Sequence, residues 1–203
     1  MSPAELSALL LLCTASSFTP GPNTTLSTAL AANLGFKRAL RFVVSVPVGW
    51  GLLFSLCAAG VGSLVLAVPA LRLGVKVLGV AYLLWLAYKL ASANALKQAD
   101  AKQLQVTFWQ GVMLQFLNIK AWMLALTVVA GWMAGRDDAL TRFAIILPVM
   151  LSFGLVSNLT YALMGTLMRQ WLTDAEHGGR RLRWFNRSMA AVLVLTAGWM
   201  LQF

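Results

Sequence analysis

An all-α integral membrane protein is the fold class this sequence predicts, and three observations predict it. Of 203 residues, 60% are hydrophobic and 11% charged, against about 25% charged in an average soluble domain. Phe42 to Leu71 runs for 30 residues and Phe143 to Met168 for 26 without a charge, where about 20 apolar residues suffice to cross a bilayer. Lys and Arg gather between the apolar runs and on one side of them, which also accounts for the net charge of +10.

Six transmembrane helices are predicted, over roughly 4–28, 43–67, 71–91, 106–134, 143–168 and 187–203, or five if the first or last segment fails to cross. The first is interrupted at Pro20-Gly21-Pro22, because proline removes a backbone donor and clashes with the preceding turn. The third opens on Arg72 and Lys76, which must snorkel or flank it. The sixth is short, so tilt or local thinning must accommodate it. One transmembrane domain of residues 1–203 follows, with a first half of about 1–91, a polar cytoplasmic connector at 92–105 and a second half of about 106–203. Three spans per half means that any repeat between the halves is inverted across the membrane. SSFTPGPNTTL in the first half and LQFLNIKAWML in the second each set a polar, helix-disturbing stretch directly after a Phe, in the opening span of the half. That is the arrangement of broken helices expected of secondary transporters.

Orientation follows from the cations. Lys37, Arg38 and Arg41 lie between spans 1 and 2, Lys89, Lys97 and Lys102 between 3 and 4, and Arg169, Arg180, Arg181, Arg183 and Arg187 between 5 and 6. Arg72, Lys76, Arg136 and Arg142 lie on the other side. The positive-inside bias therefore puts the first set in the cytoplasm and both termini in the periplasm. The basic loops lack the aromatic platform of a nucleic-acid surface, so no nucleic-acid partner is expected. Glu5, with no Lys or Arg before the apolar run, argues for a retained first span rather than a signal peptide. Cys13 and Cys57 fall in apolar segments and read as small hydrophobes.

The six acids, Glu5, Asp100, Asp137, Asp138, Asp174 and Glu176, lie in loops or at span ends, and His177 is in a loop. No metal cluster, Ser-His-Asp set or paired carboxylates can be assembled within the spans. No metal or cofactor is expected, and an enzyme is not. The ionisable residue deep in a span is Lys120, a functional candidate by cost of burial. Around it fall two polar groups: Thr19 to Thr25, and Gln115, Asn118 and Lys120, with Asn158, Thr160 and Tyr161 as additions. A half-helix starting at Pro22 or Asn23 tolerates the missing proline N–H and aims free N–H groups and a positive dipole end into the membrane. Lys120 would add a positive charge, and the matching guest carries a carboxylate. The other reading is a proline kink that shapes packing, with Asn118 and Lys120 capping or snorkelling.

Trp50, Trp85, Trp109, Trp122, Trp132, Trp171, Trp184 and Trp199 read mostly as interface anchors or lipid contacts. Gly131 and Gly135 have helix-contact spacing that chance also supplies. Asn158-Leu-Thr160 matches a glycosylation sequon but lies within a predicted span.

FTPGPNTTL followed by GFKRAL, then LQFLNIKAW, together with KVLGVAYLLWLAYKL and NLTYALMG, resembles the LysE/RhtB family of bacterial amino-acid exporters over nearly the whole chain. Within that family the chain looks most like the branch exporting cysteine and O-acetylserine. The resemblance implies a multi-pass exporter of the bacterial inner membrane, driven by the proton gradient, whose partners are a small-molecule amino acid, protons and the lipid bilayer. A homo-oligomer stays open. The implied substrate-binding positions are Pro20, Gly21, Pro22 and Asn23 in the first half, and Gln115, Asn118, Lys120 and Asn158 in the second; Thr24, a side-chain donor and acceptor beside Asn23, joins them on the reading of the residues alone. Two departures stand out. Ile119 replaces the proline of a frequent Asn-Pro-Lys, which suggests a milder second break. Gly49-Trp50 stands where many members carry an Asp, which leaves Lys120, a loop acid or the substrate's own charge to couple protons. Alternating access between the two halves is the expected mechanism. A non-transporting membrane scaffold or sensor, binding a partner through Arg180, Arg181 and Arg183, is the alternative; a channel lacks a charged ring or filter repeat.

Overall fold

A computed structural model describes residues 1–93, 104–173 and 179–202. Most of the expected connector (94–103, with Lys97, Asp100 and Lys102) lies outside these, as do Asp174, Glu176 and His177. Nine helices and no strand are found among the described residues.

The first predicted span is two helices, α1 (Pro3–Phe18) and α2 (Pro22–Leu34), each with proline in its first turn. Ser2 and Glu5 form a capping box at the start of α1, with bonds of 3.2 and 2.7 Å between side chain and backbone. The helix α2 extends six residues past the expected end and turns directly into α3 (Phe36–Ala58) at Gly35, whose φ of +85° suits glycine. Lys37, Arg38 and Arg41 thus lie on the first turns of α3, not in a loop. Charge limits how deep a residue sits in lipid, not whether it is helical.

The second span was expected at 43–67. It ends instead at Ala58, where Gly60 at φ +93° supplies a left-handed turn, and α4 (Val61–Ala67) is a separate short helix. The helix α5 (Pro69–Ser92) follows the expected third span closely. The fourth is α6 (Phe108–Leu117) and α7 (Ile119–Trp132), bent by 66° at Asn118. Asn118 makes the break without a following proline: its backbone is extended and its Oδ1 accepts from the Lys120 N–H at 3.1 Å as an N-cap. Trp122 Nε1 donates to the Phe116 carbonyl at 2.8 Å, satisfying an acceptor at the end of α6.

The helix α8 (Ala139–Leu172) is longer than its apolar window, and α9 (Arg180–Met200) starts seven residues before the expected span. Its 21 residues cover about 32 Å along the helix axis. The early turns carry Arg180, Arg181, Arg183 and Arg187. By length and composition α3, α5 and α8 can each cross a membrane, as can α6 and α7 taken as one bent span. Leu11, Leu73, Leu78, Leu140, Leu167 and Leu195 are each at least 60% exposed, a surface suited to lipid rather than water.

Packing is closest between α2 and α8, α5 and α9, and α3 and α6, with α3 also against α8. At the α2–α8 crossing a Cβ on Gly165 would stand 2.2 Å from the Thr28 carbonyl oxygen, so only glycine permits the approach. One apolar cluster joins α2, α3, α5 and α9 around Leu30, Phe42, Leu86 and Leu193; another joins α1, α3, α7 and α8 around Leu9, Phe54, Ala125 and Ile146. Buried amides add polar ties. Asn33 and Asn186 exchange two bonds of 2.7 and 3.0 Å, and Asn186 also reaches the Ala93 carbonyl at 3.5 Å. The α2–α3 turn and the ends of α5, α8 and α9 thereby meet at one pole. At the other, Glu5 accepts from Arg136 at 3.0 Å and Arg142 at 3.1 Å, and Arg142 donates to Asp138 at 2.7 Å. That last bond holds the Asp138 carboxyl below its ordinary range.

Candidate functional site: a cavity at the broken first span

The gap between α1 and α2 leaves backbone groups without helical partners, carbonyls on one side and N–H groups on the other. Side chains from the second half take the carbonyls. Lys120 Nζ donates to Ser16 O at 3.3 Å and Thr19 O at 3.4 Å. Ser157 Oγ donates to Ser17 O at 2.5 Å, and Tyr161 OH to Phe18 O at 2.9 Å. The negative end of α1's dipole therefore faces a lysine cation. At the start of α2, Gly21 N–H donates to Thr24 Oγ1 at 3.0 Å, while the Asn23 and Thr24 backbone N–H groups meet no acceptor among the described residues.

Between these ends and the two apolar clusters lies a cavity of about 90 Å³. A water needs roughly 10–15 Å³ on such a measure, so the space holds several waters or a small solute. Gly21, Pro22, Asn23, Thr24, Asn118, Lys120 and Asn158 all line it. Gly21 is in extended backbone at φ −170°, and a Cβ there would stand 3.6 Å from Lys120 Nζ.

The other two expected positions do not line it. Pro20 is exposed at the break, and Gln115, fully buried, stands behind Asn23. Gln115 and Asn23 exchange two amide bonds of 2.9 and 3.0 Å, which pins the first turn of α2 to α6. Asn158 Oδ1 accepts from Ser27 at 2.8 Å and its Nδ2 donates to Gly154 O at 2.8 Å, so it ties α8 to α2 beside the cavity. Thr160 donates to Val156 O within its own helix and takes no part.

Trp50 is the main residue the sequence did not single out. It lines the cavity at 8% exposure, with no hydrogen-bond partner for its Nε1, and stacks on Phe54 at 5.0 Å between ring centres. It is no interface anchor, and neither is Trp122, at 6% exposure. Only the location of Gly49-Trp50, at a position acidic in many relatives of the resembled family, hinted at Trp50. Ser16, Ser17 and Ser157 were also missed, since single serines in apolar helices carry no pattern. Gly131 has no side-chain neighbour within 4 Å, so its spacing from Gly135 marks no helix contact.

No Asp or Glu lines the cavity, and no group of His, Cys, Asp or Glu among the described residues could hold a metal ion. The polar groups are unpaired N–H donors at α2, a lysine cation, and carbonyl oxygens at α1. Such a set complements a small molecule carrying both a carboxylate and an ammonium group.

Comparison with known proteins shows the family. The LysE type translocator family model matches residues 14–202. A cysteine/O-acetylserine efflux protein of Salmonella choleraesuis (strain SC-B67) is 30% identical over 197 residues, 97% of each chain. The protein of that description from Escherichia coli (strain K12) is 28% identical over 195 residues, 96% of this chain and 94% of its own. No solved structure matches. These matches identify a membrane transporter, not an enzyme, and the chain belongs to the LysE type translocator family.

Proposed function

We propose that this protein exports small amino acids or close derivatives across the bacterial inner membrane by alternating access, coupled to protons. The observation that carries the reading is the cavity at the broken first span, where two half-helix ends and Lys120 face one small space. A zwitterion enters from the cytoplasm. Its carboxylate docks on the free N–H groups at Asn23 and Thr24, with Asn118 and Asn158 completing the walls. Cysteine and O-acetylserine, the substrates in the relatives' descriptions, are of suitable size. Among the described residues no acid lines the cavity to pair with a lysine-like side chain.

Six spans in two inverted halves fit the packing. A two-fold exchange of halves would send α1–α2 to α6–α7, α3 to α8 and α5 to α9. Under it α5–α9 and α3–α8 each map onto themselves, and both contacts are extensive; α2–α8 and α3–α6 map onto the lesser α3–α7 and α1–α8 contacts. Rocking of one half against the other would then open the cavity to each side in turn. With the cation-rich pole in the cytoplasm, both termini are periplasmic.

The test is efflux of radiolabelled cysteine, O-acetylserine, threonine, homoserine and lysine from preloaded proteoliposomes, with and without a pH gradient. Wild type should export one or a few of these. Gly21→Leu, whose extended backbone accepts a side chain but aims it at the cavity, should lose at least tenfold in kcat/KM, about 1.4 kcal/mol of transition-state binding. Undiminished export by a folded Gly21→Leu protein would remove the cavity from the transport path.

A further inference from the structure

We propose that Lys120 is the proton carrier of the cycle, releasing its proton when the substrate's own ammonium takes its place on the carbonyl end of α1. This rests on the export reading above. Among the described residues Lys120 is the one charged side chain lining the cavity, and its Nζ rests on two backbone carbonyls, Ser16 O and Thr19 O, at 3.3 and 3.4 Å.

Among the described residues the groups facing it are uncharged. They are Ser16 and Ser17 on α1, Thr19 and Gly21 in the break, Asn23 and Thr24 on α2, Trp50 on α3, and Met150 and Asn158 on α8. Two titratable groups lie nearby, and both have other partners. Cys13 Sγ donates to Met150 Sδ at 2.8 Å, and Tyr161 OH donates to Phe18 O at 2.9 Å. The Glu5, Arg136, Asp138 and Arg142 cluster is at the opposite end of α1; Glu5 is eleven residues from Ser16, about 16 Å of helix.

An amino acid's α-ammonium has the same donors and charge as Lys120 Nζ and competes for the same two carbonyls. Among the described residues no Asp or Glu lines the cavity to pair with a second cation, and with the substrate's own carboxylate held at α2, like charges at the carbonyl end favour loss of a proton from one of them. The lysine amine is tethered and can retract; the substrate's ammonium arrives with its carboxylate already bound at α2.

The cycle balances as follows. With the cavity open to the cytoplasm, the zwitterion binds, the N–H bond of the Lys120 ammonium breaks heterolytically, and the proton passes to cytoplasmic water. Neutral Lys120 and the zwitterion are carried outward together. After the substrate leaves, Lys120 takes a proton from periplasmic water, re-forms its bonds to Ser16 O and Thr19 O, and returns. One zwitterion moves out, one proton moves in, and one positive charge crosses inward per turnover, so membrane potential as well as pH drives export.

The experiment uses proteoliposomes holding wild type, Lys120→Met or Lys120→Arg, with radiolabelled cysteine under reducing conditions as probe. It measures the KM for exchange between about pH 6 and 7.5, and accumulation driven by an imposed potential. For wild type, competition between one proton and the substrate lowers KM by about tenfold per pH unit, and the potential concentrates cysteine. Lys120→Met should lose both the pH slope and the accumulation, whatever exchange rate it keeps. Lys120→Arg, whose guanidinium retains its proton, should show a raised KM at every pH and no accumulation. A wild-type pH slope in Lys120→Met, or potential-driven accumulation by either variant, overturns the proposal and leaves the export reading intact. Absence of any cysteine exchange by folded wild type overturns both.

Discussion

Replacing Gly165 by alanine tests the contact that seats α2 on α8. The added Cβ would stand 2.2 Å from Thr28 O and 3.0 Å from Thr28 C, both backbone atoms that cannot rotate away. Reaching an ordinary 3.4 Å contact requires the helices to part by about 1.2 Å at the crossing. Overpacking of this kind costs about 1–3 kcal/mol. Against it, alanine in a helix interior is favoured over glycine by about 1 kcal/mol. The net loss is then about 0–2 kcal/mol against wild type, and about 1–3 kcal/mol against a glycine-to-alanine change without the clash, or roughly 2–12 °C in midpoint for a chain of this size. Cys13 and Cys57 are free and buried, so a thiol-reactive dye reports unfolding in detergent directly. Gly74→Ala is the control, because nothing lies within 4 Å of its Cβ position in α5; it should hold or raise the midpoint. A Gly165→Ala midpoint equal to or above that of Gly74→Ala would refute the close approach. Because α2 carries Asn23 and Thr24 into the cavity, the same 1 Å displacement should also weaken substrate binding.

Two further outcomes follow from the polar ties. Asn33→Ala leaves the buried Asn186 amide without its reciprocal partner, so it should be more destabilising than the Asn33→Leu, Asn186→Leu double variant. Interhelical bonds in membranes average about 0.6 kcal/mol, with a maximum near 1.7, and a thermal double-mutant cycle reads the coupling. At the opposite pole, the depressed folded state of the Asp138 carboxyl contributes stability in full above its ordinary range of about 4 and loses it as pH falls through the lower folded value. Asp138→Asn should therefore lower the midpoint above about pH 5, where the carboxylate contributes in full, and flatten the acid limb of a midpoint-against-pH curve; an unchanged acid limb would contradict the Arg142 contact.

Much of the fold was legible because its signals are local. Pro20-Gly21-Pro22 breaks a helix through its own backbone, and Asn118 caps the next segment through its own side chain. Helix ends at Leu34, Ala58 and Arg180 were misjudged because hydropathy marks where a chain tolerates lipid, whereas a helix continues until a residue such as Gly35 or Gly60 turns it. Of the site, Asn23, Asn118 and Lys120 stood out as polar residues in apolar runs. Trp50 did not, since an indole is as much at home in lipid headgroups as in a cavity wall. Gln115 was sorted with the cavity, yet its amide is taken by a partner 92 residues away.

By itself the sequence determined the solvent, the helical class, the break in the first span, the polar stretch where the second break falls and the poverty of acids within the spans, because each follows from composition or from bonding along the chain. The tertiary structure decided which groups those breaks face. Lys120 reaches the carbonyls of Ser16 and Thr19 across 104 and 101 residues of chain, and the α2 N–H groups remain open beside it. Such pairings depend on how α2 seats against Gly165 and how α7 turns at Asn118. They are set by packing between helices, to which no local pattern of residues is sensitive.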